Sequence, residues 1–239
     1  MTADPRAYYD AFSASYNRRR TYGYHALLDD IESHAIPLRP SDHILEAGCG
    51  TGLVMHRLRG RGATRVVGVD LSGGMLAHAR QQGCVVAQGS VTALPFRDAT
   101  FDVAYSFKVL AHIPDIRAAI GEMARVVRPG GTVVVELYNR HSLRGLRWRL
   151  KSVLGGERTA SHQRETELFT RYDTLAEAAA YLPATTRLEA VYGAIVVTPA
   201  AVVFRVPGVA HVLGWIERRL SRSRFARFSG FPILILRRL

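Results

Sequence analysis

The chain has 239 residues, of which 48% are hydrophobic, and its formal net charge at pH 7 is +12. This size and composition predict one domain with a single buried core, and the two cysteines, Cys49 and Cys84, are too few for a disulfide framework or a cysteine-based metal site. No apolar run reaches the roughly 18 residues of a membrane span and the start "MTADPRAYYD" does not resemble a signal peptide, so we expect a cytoplasmic protein without a metal site.

The first predicted elements are helices. Residues 1–40 are expected to form a helical cap, because Tyr8, Phe12 and Tyr16 recur at four-residue intervals and therefore share one face of a helix. An aromatic stripe of this kind either packs into a core or covers a pocket. The sequence leaves both interpretations open.

Five strand-like runs follow the cap. They are "HILEA" (43–47), "RVVGVD" (65–70), "CVVAQ" (84–88), "FDVAYSF" (101–107) and "GTVVVELY" (131–138). Candidate helices occupy 52–60, 73–82 and 115–127, and the turn signal "RPGG" closes the last of them. Alternating strands and helices predict an α/β, doubly wound fold, and the nearly continuous Val and Ile runs indicate a mostly parallel sheet that is covered on both faces.

The rest of the chain contains a variable segment and two further strands. Residues 139–169 are basic and then glycine-rich, which is typical of an insertion. The C-terminal units, 170–239, complete the chain: a helix and strand unit, "LFTRYDTLAEAAAYL" (168–182) with "RLEAVYGAIVV", and a final strand "FPILILRR". We therefore expect one domain over 1–239 with a seven-stranded sheet, in which 41–138 form the ligand-binding half.

Three glycines follow the first strand in "ILEAGCGTG". Gly48, Gly50 and Gly52 predict a tight turn at the carboxyl edge of the sheet, where open α/β sheets bind ligands. The missing Cβ atoms let a ligand lie against the backbone, and the start of the following helix offers free amides. A dinucleotide fingerprint would need a further glycine where Leu53 stands, so the turn predicts a nucleotide-like ligand other than NAD.

Two acids accompany the turn. Asp70 ends the second strand, where a carboxylate can accept both hydroxyls of a ribose. Glu46 lies two residues before Gly48, which is tolerable if the ligand has no phosphate there, and it could orient a charged amino group or a water molecule.

A family resemblance rests on five motifs taken together. "ILEAGCGTG", "VVGVDLSGGML", "GSVTALPF", "FDVAYSFKVLAHI" and "RVVRPGGTVVVE" resemble, in order and spacing, the motifs of class I S-adenosylmethionine-dependent methyltransferases. The likeness covers about residues 40–138. Within that superfamily the chain is similar to small-molecule O-methyltransferases of the ubiquinone-biosynthesis type, with "YNRHS" after the fifth strand. The resemblance implies a Rossmann-like methyltransferase fold and S-adenosyl-L-methionine as cofactor.

The resemblance also implies where each motif would contact the cofactor. Asp70 would bind the ribose, and Ser90 stands where the family often has an aspartate beside the adenine amino group. The other implied contacts are Gly48, Cys49, Gly50 and Gly52 at the methionine part, Leu71 and Met75 near the adenine, Val91 beside its amino group, Ser106 at the transferred methyl, and Tyr16 closing the site from the cap.

Two histidines are candidates for a catalytic base. Methyl transfer needs a base mainly when the acceptor is a hydroxyl, and alignment and exclusion of water supply most of the rate. His112, in "LAHIPD" after the fourth strand, has a side chain suited to accepting a proton near neutral pH. Its alternative role is to cap the next turn or to pack beneath the cofactor. His141, after the fifth strand, is the second candidate.

The basic charge leaves the acceptor and the partners open. We expect methyl transfer to a small lipophilic or aromatic acceptor, at a hydroxyl. An RNA methyltransferase that uses the basic surface is the alternative, although "SFKV" replaces the Asn/Asp-Pro-Pro-aromatic tetrad of nucleic-acid amino-group enzymes. A non-catalytic cofactor-binding subunit is a further alternative. Two basic amphipathic segments, "RHSLRGLRWRLK" and "WIERRLSRSRFARFSGF", either contact an anionic membrane or are ordinary docked helices.

Overall fold

Seven strands form one sheet in the described part of the chain. The computed structural model describes residues 4–17, 23–142, 145, 169–198 and 201–239. The strands are β1 (His43–Ala47), β2 (Arg65–Asp70), β3 (Val85–Gln88), β4 (Phe101–Ser106), β5 (Val127–Glu136), β6 (Thr186–Ala194) and β7 (Phe231–Arg238). Their order across the sheet is β3-β2-β1-β4-β5-β7-β6, and β7 alone among them runs antiparallel to its neighbours β5 and β6. The prediction of a mostly parallel, doubly wound α/β sheet is confirmed.

Helices cover both faces of this sheet. They are α1 (Pro5–Tyr16), α2 (Tyr24–Ala35), α3 (Leu53–Gly60), α4 (Gly73–Gln81), α5 (Ile116–Val126), α6 (Leu175–Ala179) and α7 (Pro207–Leu220). Neighbouring residues of β1 point to opposite sides, so that Ile44 packs with α2 and α3 whereas Leu45 packs with α5. This two-sided burial is the physical reason for the continuous apolar runs in the sequence.

One turn signal was misinterpreted. We expected "RPGG" to separate α5 from the fifth strand, but β5 already begins at Val127 and the strand contains this stretch. The register between β4 and β5 shifts between Phe101 and Val103, so the extra residues are absorbed as an irregularity in the ladder. A Cβ on Gly131 would lie 2.6 Å from the carbonyl oxygen of Asp102, which explains the glycine at this crossing.

Part of the predicted insertion lies outside the described residues. This applies to 143–144 and 146–168, and therefore to the leucines of the first basic amphipathic segment. The second basic segment is described, and it forms the end of α7, a short 3-10 helix (Arg224–Phe228) and the approach to β7.

A buried carboxylate fastens α7 to the end of β6. Glu217 accepts hydrogen bonds from the backbone N–H groups of Val196, Val197 and Thr198 at 2.6, 3.0 and 2.6 Å, and from the hydroxyl of Thr198 at 2.6 Å. The side chain is fully buried. A carboxylate can accept four such bonds, so this one side chain satisfies a whole stretch of backbone that would otherwise lack partners.

We expect Glu217→Ala to lower the free energy of unfolding by about 3 kcal/mol, because it leaves buried donors without an acceptor. Urea unfolding followed by circular dichroism measures the change. Glu189→Ala is the matched control, since Glu189 pairs at the surface with Arg237 at 3.0 Å and should change stability little. Equal effects of the two substitutions would contradict this account of α7.

Candidate active site

The glycine turn is held by its own amides. The N–H groups of Gly48 and Cys49 both donate to the carbonyl oxygen of Val69, at 2.7 and 2.9 Å, and that of Gly52 donates to Cys49 at 2.9 Å. The N–H groups of Gly48 and Cys49 therefore join β1 to the tip of β2 and are not available to a ligand. A ligand would contact the surface of the turn instead.

The glycines serve different purposes. Gly48 has a φ of +83°, and a Cβ there would lie 2.3 Å from a methyl group of Val109, in the loop after β4. This glycine is needed because two loops approach closely. Gly50 has a φ of +50° and nothing within 4 Å of the position of its Cβ, so it faces open space. Of these two, Gly50 is the one that leaves room for a ligand.

Asp70 connects the tip of β2 with the glycine turn. One carboxylate oxygen accepts from the N–H of Gly50 at 2.7 Å, and the other accepts from the N–H of Ser72 at 2.9 Å. Burial raises the pKa of Asp70, and the hydrogen bonds from Ser72 and Gly50 oppose that rise. Each oxygen retains further acceptor capacity, so the side chain could also receive hydroxyl donors.

The predicted adenine contacts gather at the same edge. Leu71 is exposed directly after Asp70, and the N–H of Gly89 donates to the carbonyl oxygen of Asp70 at 3.0 Å, which brings the loop of Ser90 alongside. The hydroxyl of Ser90 lies 2.8 Å from that of Thr92. Two other candidates, Val91 and Met75, are buried beneath this surface.

The first helix lies across this edge. Asp10 of α1 accepts from the hydroxyl of Ser72 at 2.6 Å and from the N–H of Gly74 at 2.9 Å. At the other end of α1, the hydroxyl of Thr51 in the glycine turn donates to the side-chain oxygen of Asn17 at 2.8 Å. We call α1 the cap helix, because it is fastened to both loops of the candidate site.

The aromatic residues of the cap helix pack on one another. Tyr16 packs edge to face on Phe12, with ring centroids 5.5 Å apart, and Phe12 also packs on Tyr8. The sequence pattern did not single out Tyr9. Burial raises the pKa of Tyr9, and the neighbouring Tyr16, Tyr8 and Asp70 add to the rise. Tyr9 is next to Asp10, whose bonds to Ser72 and Gly74 place the cap helix beside the tip of β2.

Glu46 lies beneath the turn rather than on its surface. Its carboxylate is buried and accepts from the hydroxyl of Tyr105 at 2.9 Å. Burial raises the pKa of Glu46 to about 8, although the hydrogen bond from Tyr105 and the charge of Lys108 oppose the rise. If Glu46 orients an amino group or a water molecule, as the sequence predicts, it does so from beneath the glycine turn.

A buried ionic cluster stands beside Glu46. Lys108 donates to Asp29 at 2.8 Å and to Glu32 at 2.6 Å, both on α2, and its backbone N–H donates to Glu136 at 3.0 Å. Burial raises the pKa of both glutamates, and the neighbouring charge of Glu32 raises that of Glu136 further, whereas the charge of Lys108 opposes the rise in both. Lys108, with a φ of +60°, thus ties the loop after β4 to α2.

Ser106 does not border an open cleft. We expected its side chain near the transferred methyl group, but it is fully buried and its hydroxyl donates to the carbonyl oxygen of Ala47 at 2.7 Å. Side chains alternate between the two faces of the sheet along β4, and that of Ser106 points to a buried face. Cys49 likewise contributes backbone only, because its buried thiol packs under the turn against Gly68.

The two candidate bases occupy different settings. His112 places Nδ1 3.1 Å from the carbonyl oxygen of Phe169 and 3.2 Å from the hydroxyl of Thr170, and its ring meets Tyr138 edge to face at 5.8 Å. His141 is exposed, and its backbone N–H donates to Asn139. These contacts place His112 among other side chains at the carboxyl edge and His141 at the surface.

An aromatic group adjoins His112. Tyr138 follows β5, and its ring centroid lies 5.7 Å from that of Tyr172 and 5.2 Å from that of Phe231. Tyr172 is exposed. The rings come from three distant parts of the sequence, which is why no local pattern predicted them.

Comparison with known proteins identifies the central segment. Residues 45–135 match the methyltransferase domain family. The chain is 38% identical over 109 residues to a malonyl-(acyl-carrier protein) O-methyltransferase of Serratia marcescens, a match that covers 45% of this chain and 42% of the relative. It is 41% identical over 101 residues to a demethylmenaquinone methyltransferase of Mycolicibacterium vanbaalenii, covering 42% and 44%. The matches thus span less than half of each relative.

The similarity of fold extends over nearly the whole chain. A solved structure described as an S-adenosylmethionine-dependent methyltransferase, possible histamine N-methyltransferase, from Thermotoga maritima superposes with a TM-score of 0.69. It is 19% identical and covers 98% of each chain. Within the described residues, no helix is long and apolar enough to cross a membrane.

The buried carboxyl of Glu46 predicts a pH-dependent stability. The folded protein keeps a proton on Glu46 up to about pH 8, whereas the unfolded chain loses it near 4.5, so the free energy of unfolding should fall as the pH rises through this interval. Glu46→Gln keeps an acceptor for Tyr105 and cannot titrate, so its stability should fall less.

Urea unfolding at several pH values between 5 and about 8 measures both slopes. Glu189→Gln is the control, because the pKa of this exposed carboxyl is lowered by Arg237 and the residue should not contribute in that interval. A Glu46→Gln profile parallel to that of the wild type would contradict the prediction.

Proposed function

Because residues 45–135 match the methyltransferase domain family, we propose that this chain is an S-adenosylmethionine-dependent methyltransferase that acts on a hydroxyl of a small lipophilic or aromatic acceptor. The observation that carries the proposal is the bonding of Asp70 to Gly50 beneath the cap helix. This arrangement supports binding of an adenosine ribose beside an open glycine, at the edge where α/β sheets bind nucleotides.

The residues of the edge suit S-adenosylmethionine better than a phosphate-bearing nucleotide. Asp70 offers acceptors for two ribose hydroxyls, and its negative charge would repel a phosphate. Gly50 leaves open space, and the exposed Leu71 gives an apolar surface for a base.

The cap helix would align the reactants and exclude water. When bound, S-adenosylmethionine supplies a methyl group that its positive sulfonium has already activated. The protein then has to hold the acceptor in line and keep water out. The cap helix would serve both purposes, because Asp10 and Asn17 fasten it to the two loops of the candidate site.

The aromatic group beside His112 supports the acceptor class. Rings at Tyr138, Tyr172 and Phe231 favour an aromatic or lipophilic molecule by stacking and by apolar contact. The names of the two curated relatives, an O-methyltransferase and a demethylmenaquinone methyltransferase, agree with methylation of small acceptors.

His112 is the proposed base for a hydroxyl acceptor. The carbonyl oxygen of Phe169 can only accept, so Nδ1 of His112 carries the hydrogen and Nε2 is the basic nitrogen. Phe169 and Thr170 thereby fix the tautomer and the orientation of the ring. His141 is retained as the second candidate.

Calorimetric titration with S-adenosylmethionine and S-adenosylhomocysteine tests the cofactor site. We expect Asp70→Ala to weaken binding on the order of 100-fold, because it removes the ribose acceptor and the partner of Gly50. Asp102→Ala is the matched control: its carboxylate also holds a backbone N–H of β1, that of His43 at 2.7 Å, but at the opposite end of the strand. Wild-type protein that binds neither ligand would refute the proposal.

Transfer of labelled methyl groups to phenols, quinols and RNA then tests the acceptor. His112→Ala should lower kcat by about 100-fold or more on a phenol and steepen its dependence on pH, since the base is lost. Labelling of RNA alone would replace the small-molecule proposal with the nucleic-acid alternative.

The bonds of Asp10 predict a role in retaining the cofactor. Asp10→Ala removes the contacts of the cap helix with Ser72 and Gly74, so S-adenosylhomocysteine should dissociate about tenfold faster in a stopped-flow chase. Asp4→Ala alters only the N-terminal cap of α1, where Asp4 accepts from the N–H of Arg6, and is the control. Equal dissociation rates in the two variants would show that the contacts of Asp10 do not hold the cap.

A further inference from the structure

The outer face of α7 is apolar. Val209, Val212 and Trp215 are 43%, 56% and 61% exposed, and they follow one another at three-residue intervals on the solvent side of the helix. Val206, just before α7, is also exposed. We call Val206, Val209, Val212 and Trp215 the Val–Trp face.

The Val–Trp face is not the side of α7 that packs on the protein. Gly214 lies against Leu27 of α2, Glu217 points inward, and Arg218 pairs with Asp30 at 3.0 Å. The helix is therefore already docked through its other side, and Trp215, its largest side chain, points away from the core. A docked surface helix normally has the opposite arrangement, with polar side chains in solvent.

The surroundings of the Val–Trp face are strongly basic. The guanidinium carbon of Arg219 lies 5.8 Å from the centroid of the Trp215 ring. Between residues 206 and 228 the sequence has arginines at 218, 219, 222, 224 and 227, and its one acid, Glu217, is buried. Because Glu217 is buried inside the protein, no carboxylate between residues 206 and 228 offsets the arginine charge at the surface.

We propose that the Val–Trp face docks on an anionic lipid bilayer. The valine and tryptophan side chains would enter the interfacial layer, and Arg219 with its neighbouring arginines would contact lipid phosphates. A tryptophan ring beside a cationic group is suited to this layer, where apolar and charged surroundings meet. This docking does not depend on the proposed methyl transfer.

A second copy of the chain is a poorer partner for this surface. A symmetric dimer would set Arg219 and its neighbours against the same residues of the other copy, without an exposed acid between 206 and 228 to pair with them. Four side chains on one helix also fall short of the roughly 800 Å² per partner that a stable interface buries.

The Val–Trp face adjoins the start of α2. Phe204 lies just before Val206, and its ring meets that of Tyr24 at the start of α2 with centroids 6.2 Å apart. A Cβ on Gly23 would lie 3.2 Å from Phe204. Docking would therefore bring the start of α2 toward the bilayer.

The fluorescence of Trp215 tests the docking directly. The chain has two tryptophans, so Trp148→Phe leaves Trp215 as the single reporter. With vesicles of phosphatidylcholine and about one-third phosphatidylglycerol, we expect a blue shift of the emission and quenching by brominated lipid. Vesicles of phosphatidylcholine alone should produce neither at about 0.1 M salt. Unchanged Trp215 emission while the protein floats with the vesicles would overturn the proposal, because another segment would then be binding.

A charge placed in the Val–Trp face gives the second test. Val212→Glu should reduce the fraction that floats with anionic vesicles at least about tenfold, since it puts a carboxylate in the interfacial layer. Val85→Glu is the matched control, because Val85 is 62% exposed on the edge strand β3. Equal binding of the two variants would overturn the proposal. So would a dimer in sedimentation velocity that Val212→Glu dissociates, because a second copy would then cover the face.

Discussion

The candidate site depends on one carboxylate at the tip of β2. Asp70 holds Gly50 with one oxygen and Ser72 with the other, so a single side chain fixes the spacing between the glycine turn and the loop that begins α4. Ser72 then donates to Asp10, which fastens the cap helix to the same point. Loss of this carboxylate would loosen two loops and the cap together. The glycine turn and the cap helix are therefore physically linked through Asp70 and Ser72.

Sequence periodicity predicted the frame of this arrangement closely. β1, β2 and β7 have the predicted bounds, because strands buried on two faces give unbroken apolar runs that end at turn residues. Gly50 and Asp70 were predicted for the same reason, since a strand end followed by a helix puts its turn at the ligand edge. The error at "RPGG" arose because a ladder irregularity and a turn use the same residue types.

Local sequence patterns could not predict the contacts that complete the candidate site. Asp10 bonds to residues 62 and 64 positions away, and Lys108 reaches acids 76 and 79 positions away on α2. An exposed-looking acid on a helix and a lysine after a strand are ordinary in sequence, and only tertiary packing gives them partners. The position of Ser106 at the end of β4 was predicted correctly. Its side chain, however, points to a buried face of the sheet and donates to Ala47.

The distribution of acids makes the surface more basic than the composition indicates. Glu32, Glu46, Glu136 and Glu217 are buried, and their carboxyls are protonated, paired or bonded inside the protein. They count toward the net charge of +12 but do little to screen the arginines outside. The burial of Glu217 therefore leaves the arginines around α7 without a carboxylate from their own stretch, and only Arg218 among them is described with an acidic partner, Asp30 of α2. The burial of these glutamates therefore explains two features that look unrelated in the sequence, the carboxyls of the interior and the basic surface.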